Sequence, residues 1–217
     1  MSLVMVSTPI GNFQDITLRA LETLKTCDVL ICEELKPARI LLKRLGIEEK
    51  ELFQLNEHSR QADLDELVGL CRVKKVALVS DCGTPGFYDP GADLVRTCYE
   101  RNIQVDGNPG PSSLMALISL SGIKLTEFYF VGFLPAEKIL RQKKLGQVSK
   151  LKLPLILMDT PYRLGSTLKD IAVFLPHARA TLGIDLTGAK NQVVRGKLTD
   201  LANKTFPKAP FVVIVEP

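Results

Sequence analysis

The chain has 217 residues, of which 46% are hydrophobic and 24% charged, with a formal net charge of +4. These values exclude a disordered polypeptide and suit one large domain or two small ones, and so mild a charge does not by itself indicate a nucleic-acid partner. Five cysteines without a C-x-x-C pair and two distant histidines argue against a disulfide framework or a metal site. We therefore expect a cytoplasmic protein with reduced thiols, no metal and no membrane partner.

The first predicted element is a strand over Leu3–Val6, which makes the N terminus a strand rather than a signal peptide. Helical patterns and apolar runs then alternate along the first half of the chain. In order, they predict a helix from Thr17, a strand over 28–32, a helix over 37–46, a short strand near Phe53, a helix over 63–72, a strand over 76–80, a helix over 92–100, a strand over 103–105 and an apolar helix ending at Gly122.

The second half is richer in strands towards its end. It predicts a strand over 128–133, a basic helix over 136–147, a strand over 154–159, a helix over 164–175 and strands over 180–186, 192–196 and 211–215. Helices that alternate with continuous apolar strands indicate a largely parallel sheet, and the strand-rich end indicates a mixed one. We predict an α/β fold of two α/β subdomains, residues 1–116 and 117–217, with mostly parallel and mixed sheets.

Four predicted strands end in loops of small and polar residues. Their sequences are "STPIGN", "SDCGTPG", "GNPGPSS" and "DTPYR". Ligands of parallel α/β sheets bind beyond the carboxyl ends of the strands, where glycine permits close backbone approach and proline fixes the loop. One such loop is typical of an ordinary turn, whereas four at one edge favour a ligand site. The G-x-G-x-x-G, P-loop and G-x-S-x-G motifs are absent.

Longer segments containing these loops resemble the tetrapyrrole-methylase superfamily. They are "VSTPIGNFQDITLRALETLKTCDVLICEE", "LVSDCGTPGFYDPGADLV", "NPGPSSLMALISLSG", "FYFVGFLP" and "LILMDTPYR". Within the superfamily they most resemble the bacterial ribose 2′-O-methyltransferases of small-subunit ribosomal RNA. The resemblance implies an enzyme that binds S-adenosylmethionine (SAM) in a cleft between two α/β subdomains, forms a homodimer, and acts on ribosomal RNA or the small ribosomal subunit.

The resemblance also assigns residues. Cofactor contacts fall on Pro9, Asp81, Thr84, Ser112, Ser113, Met158, Leu186 and Pro210. Glu33 is the first candidate for orienting the substrate or accepting its proton, although a carboxylate at a helix start can equally serve the helix. Asp185 is a second catalytic candidate, with a structural hydrogen bond as its alternative. Arg163 would position a phosphate or carboxylate, or lie solvated in a first helical turn.

The chain departs from the family pattern where substrate is expected. "EDTR" is replaced by "CEELK", "RELTK" by "GIDLTG", with Gly188 in place of lysine, and "ESPHR" by "DTPYR". The ribosomal enzymes also carry an extra C-terminal region beyond "FVVIVEP". Three functions stay open: an RNA ribose methyltransferase, a methyltransferase of a small molecule such as a tetrapyrrole, and a non-catalytic SAM-binding protein. Basic segments over 36–44 and 138–152 favour the first.

Overall fold

Two units make up the chain, Met1–Ser112 and Ser113–Pro217. A computed structural model describes residues 1–56, 58–89 and 91–217. Within that part, one unit is organised by a parallel sheet and the other by a mixed sheet. The predicted α/β fold class is therefore confirmed. The division between the units lies four residues before the predicted boundary, at the start of an apolar helix.

The first unit alternates strands and helices. Its elements are β1 (Ser2–Val6), α1 (Leu18–Thr26), β2 (Val29–Cys32), α2 (Leu35–Arg44), β3 (Glu51–Gln54), α3 (Gln61–Val73), β4 (Lys75–Val79), α4 (Gly91–Glu100) and β5 (Gln104–Asn108), with a short 3-10 helix over Phe13–Asp15. All strand pairs are parallel, in the order β3-β2-β4-β1-β5. The carboxyl ends of the five strands consequently share one edge of the sheet.

Helices cover both faces of this sheet. Successive strand residues point to opposite faces, so Leu3 packs with α3 and α4 while Val6 packs with α1 and α2. The same alternation places Ile31 of β2 on the first face and Leu30 on the second. Burial on both faces explains why these strands are continuous apolar runs.

The second unit is built on a mixed sheet. Its elements are α5 (Ser113–Ser121), β6 (Tyr129–Gly132), α6 (Lys138–Val148), β7 (Leu155–Asp159), α7 (Leu164–Phe174), β8 (Arg179–Ile184), β9 (Gln192–Lys197), α8 (Leu198–Ala202) and β10 (Phe211–Glu216), with a 3-10 turn over Ser149–Leu151. The strand order is β6-β7-β10-β8-β9. Only β6 and β7 pair in parallel, and β10 runs antiparallel to both β7 and β8.

Strand β10 aligns the ends of β7 and β8 at one edge of this sheet. Phe211 pairs with Asp159 of β7 and with Ile184 of β8, so the ends of β7 and β8 lie beside the start of β10. Helices α6, α7 and α8 pack on one face of the sheet. On the other face α5 approaches so closely that a Cβ at Gly183 would lie 2.8 Å from a Leu117 methyl group.

Three further features concern the thiols, metal ligands and helix lengths. All five cysteines are free, and four of them are buried. Among residues 1–56, 58–89 and 91–217, no cluster of histidine, cysteine and carboxylate side chains is arranged to hold a metal ion. No helix in the same ranges combines the length and the apolar character needed to cross a bilayer.

Candidate functional site

Three strand-end loops of the first unit are joined by hydrogen bonds at the carboxyl edge of the sheet. Thr8, after β1, donates its backbone N–H to the Gly83 carbonyl, after β4, over 2.9 Å. The Ser7 hydroxyl donates to the Thr84 hydroxyl, which donates to the Pro111 carbonyl after β5, each over 3.0 Å. These bonds fix the loops that carry the predicted cofactor residues Pro9, Asp81 and Thr84 relative to one another.

Two glycines allow these loops to pack closely. Gly83 is buried with a φ of +82°, a left-handed conformation, and a Cβ there would lie 3.3 Å from Ile10 Cγ2. A Cβ at Gly110 would lie 2.8 Å from Ser7 Cβ. Side chains at either position would separate the loops. The glycines of "SDCGTPG" and "GNPGPSS" therefore bring backbone against backbone, as the sequence predicts.

Carboxylates gather at the same edge. Partial desolvation raises the pKa of the Asp81 carboxyl; a hydrogen bond from the Glu34 backbone N–H opposes the shift, and the charge of Glu34 adds to it. Burial raises the pKa of the neighbouring Cys32 thiol to about 11, with Asp81 contributing. The "CEELK" segment, with the catalytic candidate Glu33, thus lies against the predicted cofactor loop.

A cavity of about 390 Å³ opens beside these carboxylates within the first unit. Its lining is mostly polar: Glu33, Glu34, Asn56, His58, Tyr88, Asp89 and Asp93. The volume is in the range of small-ligand sites, and the four carboxylates give it a negative potential. Such a cavity suits the neutral or cationic parts of a ligand and disfavours a phosphate.

Asp89 orders the loop that carries Tyr88 into this cavity. Its carboxylate accepts hydrogen bonds from the backbone N–H groups of Gly86, Phe87 and Gly91, the last two over 3.1 Å. Tyr88 has a φ of 58°, which is uncommon for an aromatic residue. The turn holds the exposed rings of Phe87 and Tyr88 with their centroids 6.2 Å apart. The sequence predicts that "FYDPG" shapes the loop, and the hydrogen bonds to Asp89 agree with that role.

Ser112 and Ser113 lie at the start of α5, and both are half-buried. The first ends one unit of the chain and the second begins the other. Their hydroxyls and the first N–H groups of α5 are donors suited to polar ligand groups, as the "GPSS" sequence predicts.

The predicted cofactor residues of the second unit lie at one edge of its sheet. Met158 is the penultimate residue of β7 and pairs with Val212 of β10. The Asp185 backbone N–H donates to the Pro210 carbonyl over 2.8 Å, which joins the loop after β8 to the start of β10. Leu186 is buried beside it. Residues separated by more than fifty positions in the sequence are thereby brought together.

The carboxylate of Asp185 holds the loop after β8. It accepts a hydrogen bond from the Lys190 N–H over 2.6 Å, and Asp185 itself has a φ of 48°. A Cβ at Gly188 would lie 2.5 Å from Asp185 Cγ, so this carboxylate occupies the space of a side chain at position 188. The two departures in "GIDLTG" are therefore physically linked, because a side chain at position 188 would displace the Asp185 carboxylate from this arrangement.

Arg163 fastens two loops of the second unit. Its guanidinium donates to the Leu134 and Pro135 carbonyls, each over 3.0 Å, and lies 3.3 Å from the Asp159 carboxylate. Asp159 is buried and also accepts from the Thr160 N–H and the Thr167 hydroxyl. Asp159 is the last residue of the apolar run "PLILMD". A carboxylate at the end of a buried strand indicates a partner such as Arg163, and the sequence analysis did not predict this pair. These contacts favour a positioning role for Arg163.

Comparison with known proteins identifies relatives over almost all of the chain. A family model described as "Tetrapyrrole (Corrin/Porphyrin) Methylases" matches residues 2–202. Proteins named "Ribosomal RNA small subunit methyltransferase I" from Thermotoga maritima, Neisseria meningitidis and Coprothermobacter proteolyticus are each 36% identical, over 96%, 92% and 99% of this chain. The matches cover 93%, 69% and 97% of those proteins. A match over 93% and 97% of two of these proteins leaves little room for an extra region, so such a region is not common to all proteins of that name.

Proposed function

Because the chain belongs to the tetrapyrrole methylase family and is a methyltransferase, we propose that it transfers the methyl group of SAM to small-subunit ribosomal RNA, at a ribose 2′-hydroxyl. One observation carries this proposal: the similarity to proteins named for that RNA extends over nearly the whole chain. We propose further that the protein acts in the cytoplasm, which its free cysteines favour, and that it forms a homodimer, as the family resemblance implies.

The donors and acceptors of the first unit fit SAM. The cofactor has a positive sulfonium and ammonium, ribose hydroxyls and an adenine, so it needs carboxylates, hydroxyls and backbone groups. In the first unit Asp81 offers a carboxylate, and Thr84 and Ser112 offer hydroxyls; Ser113, the first residue of the second unit, offers another hydroxyl. The sulfonium of SAM supplies a methyl group that is already activated for displacement. In the second unit, Met158, Leu186 and Pro210 are candidates for apolar contacts through the resemblance.

The protein must then align the substrate hydroxyl and help to remove its proton. We assign this task to Glu33, which lines the carboxylate-rich cavity at the end of β2. The Gln54 side chain donates to the Glu33 backbone carbonyl over 2.9 Å, which fixes the backbone of this residue. Asp185 and Arg163 act as positioning residues, because their charged groups hold neighbouring loops.

A transfer assay tests the proposal. Purified protein is incubated with methyl-labelled SAM and, in parallel, small ribosomal subunits, naked ribosomal RNA and a panel of tetrapyrroles. We expect label in RNA at a position that resists alkaline cleavage, since a methylated 2′-hydroxyl cannot attack its phosphate. The matched control is Asp81→Asn, which keeps the size of the side chain and removes its charge, and should transfer little label at limiting SAM.

The other outcomes separate the alternatives. Label only in a tetrapyrrole would overturn the RNA proposal and favour a small-molecule methyltransferase. The altered "CEELK" and "GIDLTG" segments are consistent with that alternative. Bound SAM without transfer to any substrate would favour a non-catalytic protein. Absence of SAM binding by calorimetry at millimolar ligand would contradict the cofactor assignment itself.

A further inference from the structure

Helix α2 presents a basic face to solvent. Lys36, Arg39 and Lys43 are exposed and spaced i, i+3 and i+7, which places them within about 60° of arc at roughly 100° per residue. The opposite side of the helix, with Leu41 and Leu42, is buried against the sheet. The three cations therefore form one stripe about 10 Å long at roughly 1.5 Å of rise per residue. We call Lys36, Arg39 and Lys43 the α2 basic stripe.

Nothing in the described part of the chain neutralises this stripe. Across residues 1–56, 58–89 and 91–217, none of its members forms an ion pair, whereas Lys74, Arg96 and Arg101 of the same unit each pair with a carboxylate. Cations near a helix C terminus complement the helix dipole, which accounts for Lys43. Lys36 lies in the first turn, where the dipole disfavours a cation. The helix dipole thus explains Lys43 but not Lys36, and it does not account for the stripe as a whole.

The second basic segment differs in this respect. In α6, Arg141 forms an ion pair with Asp170 over 2.6 Å and donates to two loop carbonyls, and both side chains of the pair are largely buried. Lys144 lies 5.5 Å from the centroid of the Tyr129 ring. These two cations hold α6 within its own unit, so Arg141 and Lys144 are less available to RNA phosphates than the basic sequence of segment 138–152 suggests.

The α2 basic stripe also lies next to the carboxylate-rich cavity, whose negative charge repels phosphates. Helix α2 begins one residue after Glu34, and both Glu33 and Glu34 line the carboxylate-rich cavity. An RNA that presents a ribose to Glu33 cannot place its phosphates among four carboxylates without strong repulsion. The exposed cations of the α2 basic stripe begin within one helical turn of Glu33 and offer a surface complementary to phosphates.

We propose that the α2 basic stripe is the surface that holds the RNA sugar-phosphate backbone next to Glu33. The inference rests on the proposed function, and it assigns backbone binding to α2 rather than to α6. Each phosphate contact contributes about 0.7 to 0.9 units to the salt dependence of binding. Three contacts therefore contribute a slope of roughly two units.

Two matched triple variants test this assignment. The first is Lys36→Gln, Arg39→Gln and Lys43→Gln, and the control is Lys138→Gln, Lys143→Gln and Lys150→Gln, which removes the same charge from exposed positions of the α6 segment. RNA affinity is measured from low to high salt, together with SAM affinity and the unfolding temperature. We expect the first variant to lose about two units of slope and to bind RNA roughly 10- to 100-fold more weakly near physiological salt. The control should match the wild type.

The failures are distinguishable. An unchanged slope in the α2 variant, or an equal loss in the α6 control, overturns the inference and leaves the proposed function standing. A wild-type protein that binds ribosomal RNA without salt dependence, or not at all, overturns both. An unchanged unfolding temperature and SAM affinity in the α2 variant assign its loss to RNA contacts, because all three substituted side chains are exposed.

Discussion

Substitutions of Asp185 distinguish two possible roles of its carboxylate, holding the loop after β8 or accepting the substrate proton. Its carboxylate accepts the Lys190 N–H in a loop where Asp185 adopts a φ of 48°. Asparagine keeps an oxygen acceptor and tolerates the left-handed region, whereas alanine keeps neither property. If Asp185 acts by holding the loop, Asp185→Asn should therefore preserve function and Asp185→Ala should not.

The expected magnitudes follow from these two losses. Alanine forfeits a charged hydrogen bond, about 1.5 kcal/mol at this half-buried position, and incurs about 1–2 kcal/mol of left-handed strain. The sum of about 3 kcal/mol corresponds to a fall in unfolding temperature of roughly 6–12 °C for a chain of this size. Asparagine loses only the charge of the acceptor, so we expect less than about 1 kcal/mol.

Scanning calorimetry and steady-state methyl transfer measure both effects. We expect kcat of Asp185→Asn to stay within a few-fold of the wild type, and that of Asp185→Ala to fall with the loop. A proton acceptor behaves differently, since its loss lowers kcat by about 10²- to 10⁴-fold in either variant. An Asp185→Asn protein of normal stability whose kcat falls as far as that of the alanine variant would refute the positioning role.

Four further outcomes are expected. Glu33→Gln should lower kcat by about 10²- to 10⁴-fold without changing SAM affinity by calorimetry; an unchanged kcat would remove Glu33 from the chemistry. Because the pKa of Asp81 is raised, its contribution to stability falls as pH rises from the ordinary value through the raised one. Asp81→Asn should thus leave stability at neutral pH equal or higher while weakening SAM binding roughly 10- to 100-fold, and tight binding with lost stability would contradict this. Arg163→Met removes the cation beside the buried Asp159 carboxylate and should lower the free energy of unfolding by about 3–5 kcal/mol in a thermal melt. An unchanged melting temperature would contradict a stabilising Arg163–Asp159 ion pair. Light scattering should give twice the 23.9 kDa chain mass, and a persistent monomer at high concentration would exclude the homodimer.

The apolar strands and the strand-end loops could be predicted from the sequence. Strand β4 and strand β7 are buried on both faces, so each is a continuous apolar run between turn residues. The loops after them contain the glycines and prolines that such edges need. Helix α8 was not predicted, because its five residues are too few for a helical period to be visible.

The hydrogen bonds that shape the site could not be predicted in this way. Ser7 and Thr84 are 77 positions apart, and their contact depends on the parallel pairing of β1 with β4. The basic residues of α2 and α6 look alike in sequence, yet only the tertiary contact with Asp170 reveals that Arg141 is a structural residue. Local patterns identify which side chains are charged, and packing decides which charges remain available.

The place of β10 has a consequence for the order in which the nascent chain can fold. Strands β6 and β7 form one pair and β8 and β9 another, and β10 alone joins them. The first unit can fold once Ser112 has left the ribosome, whereas the second keeps two unjoined sheet edges until Glu216 is made. At about 5–20 residues per second, the stretch from Ile184 to Glu216 takes roughly 2–6 seconds to synthesise. During that interval the unpaired flanks of β7 and β8 are exposed to incorrect strand pairing and to chaperones.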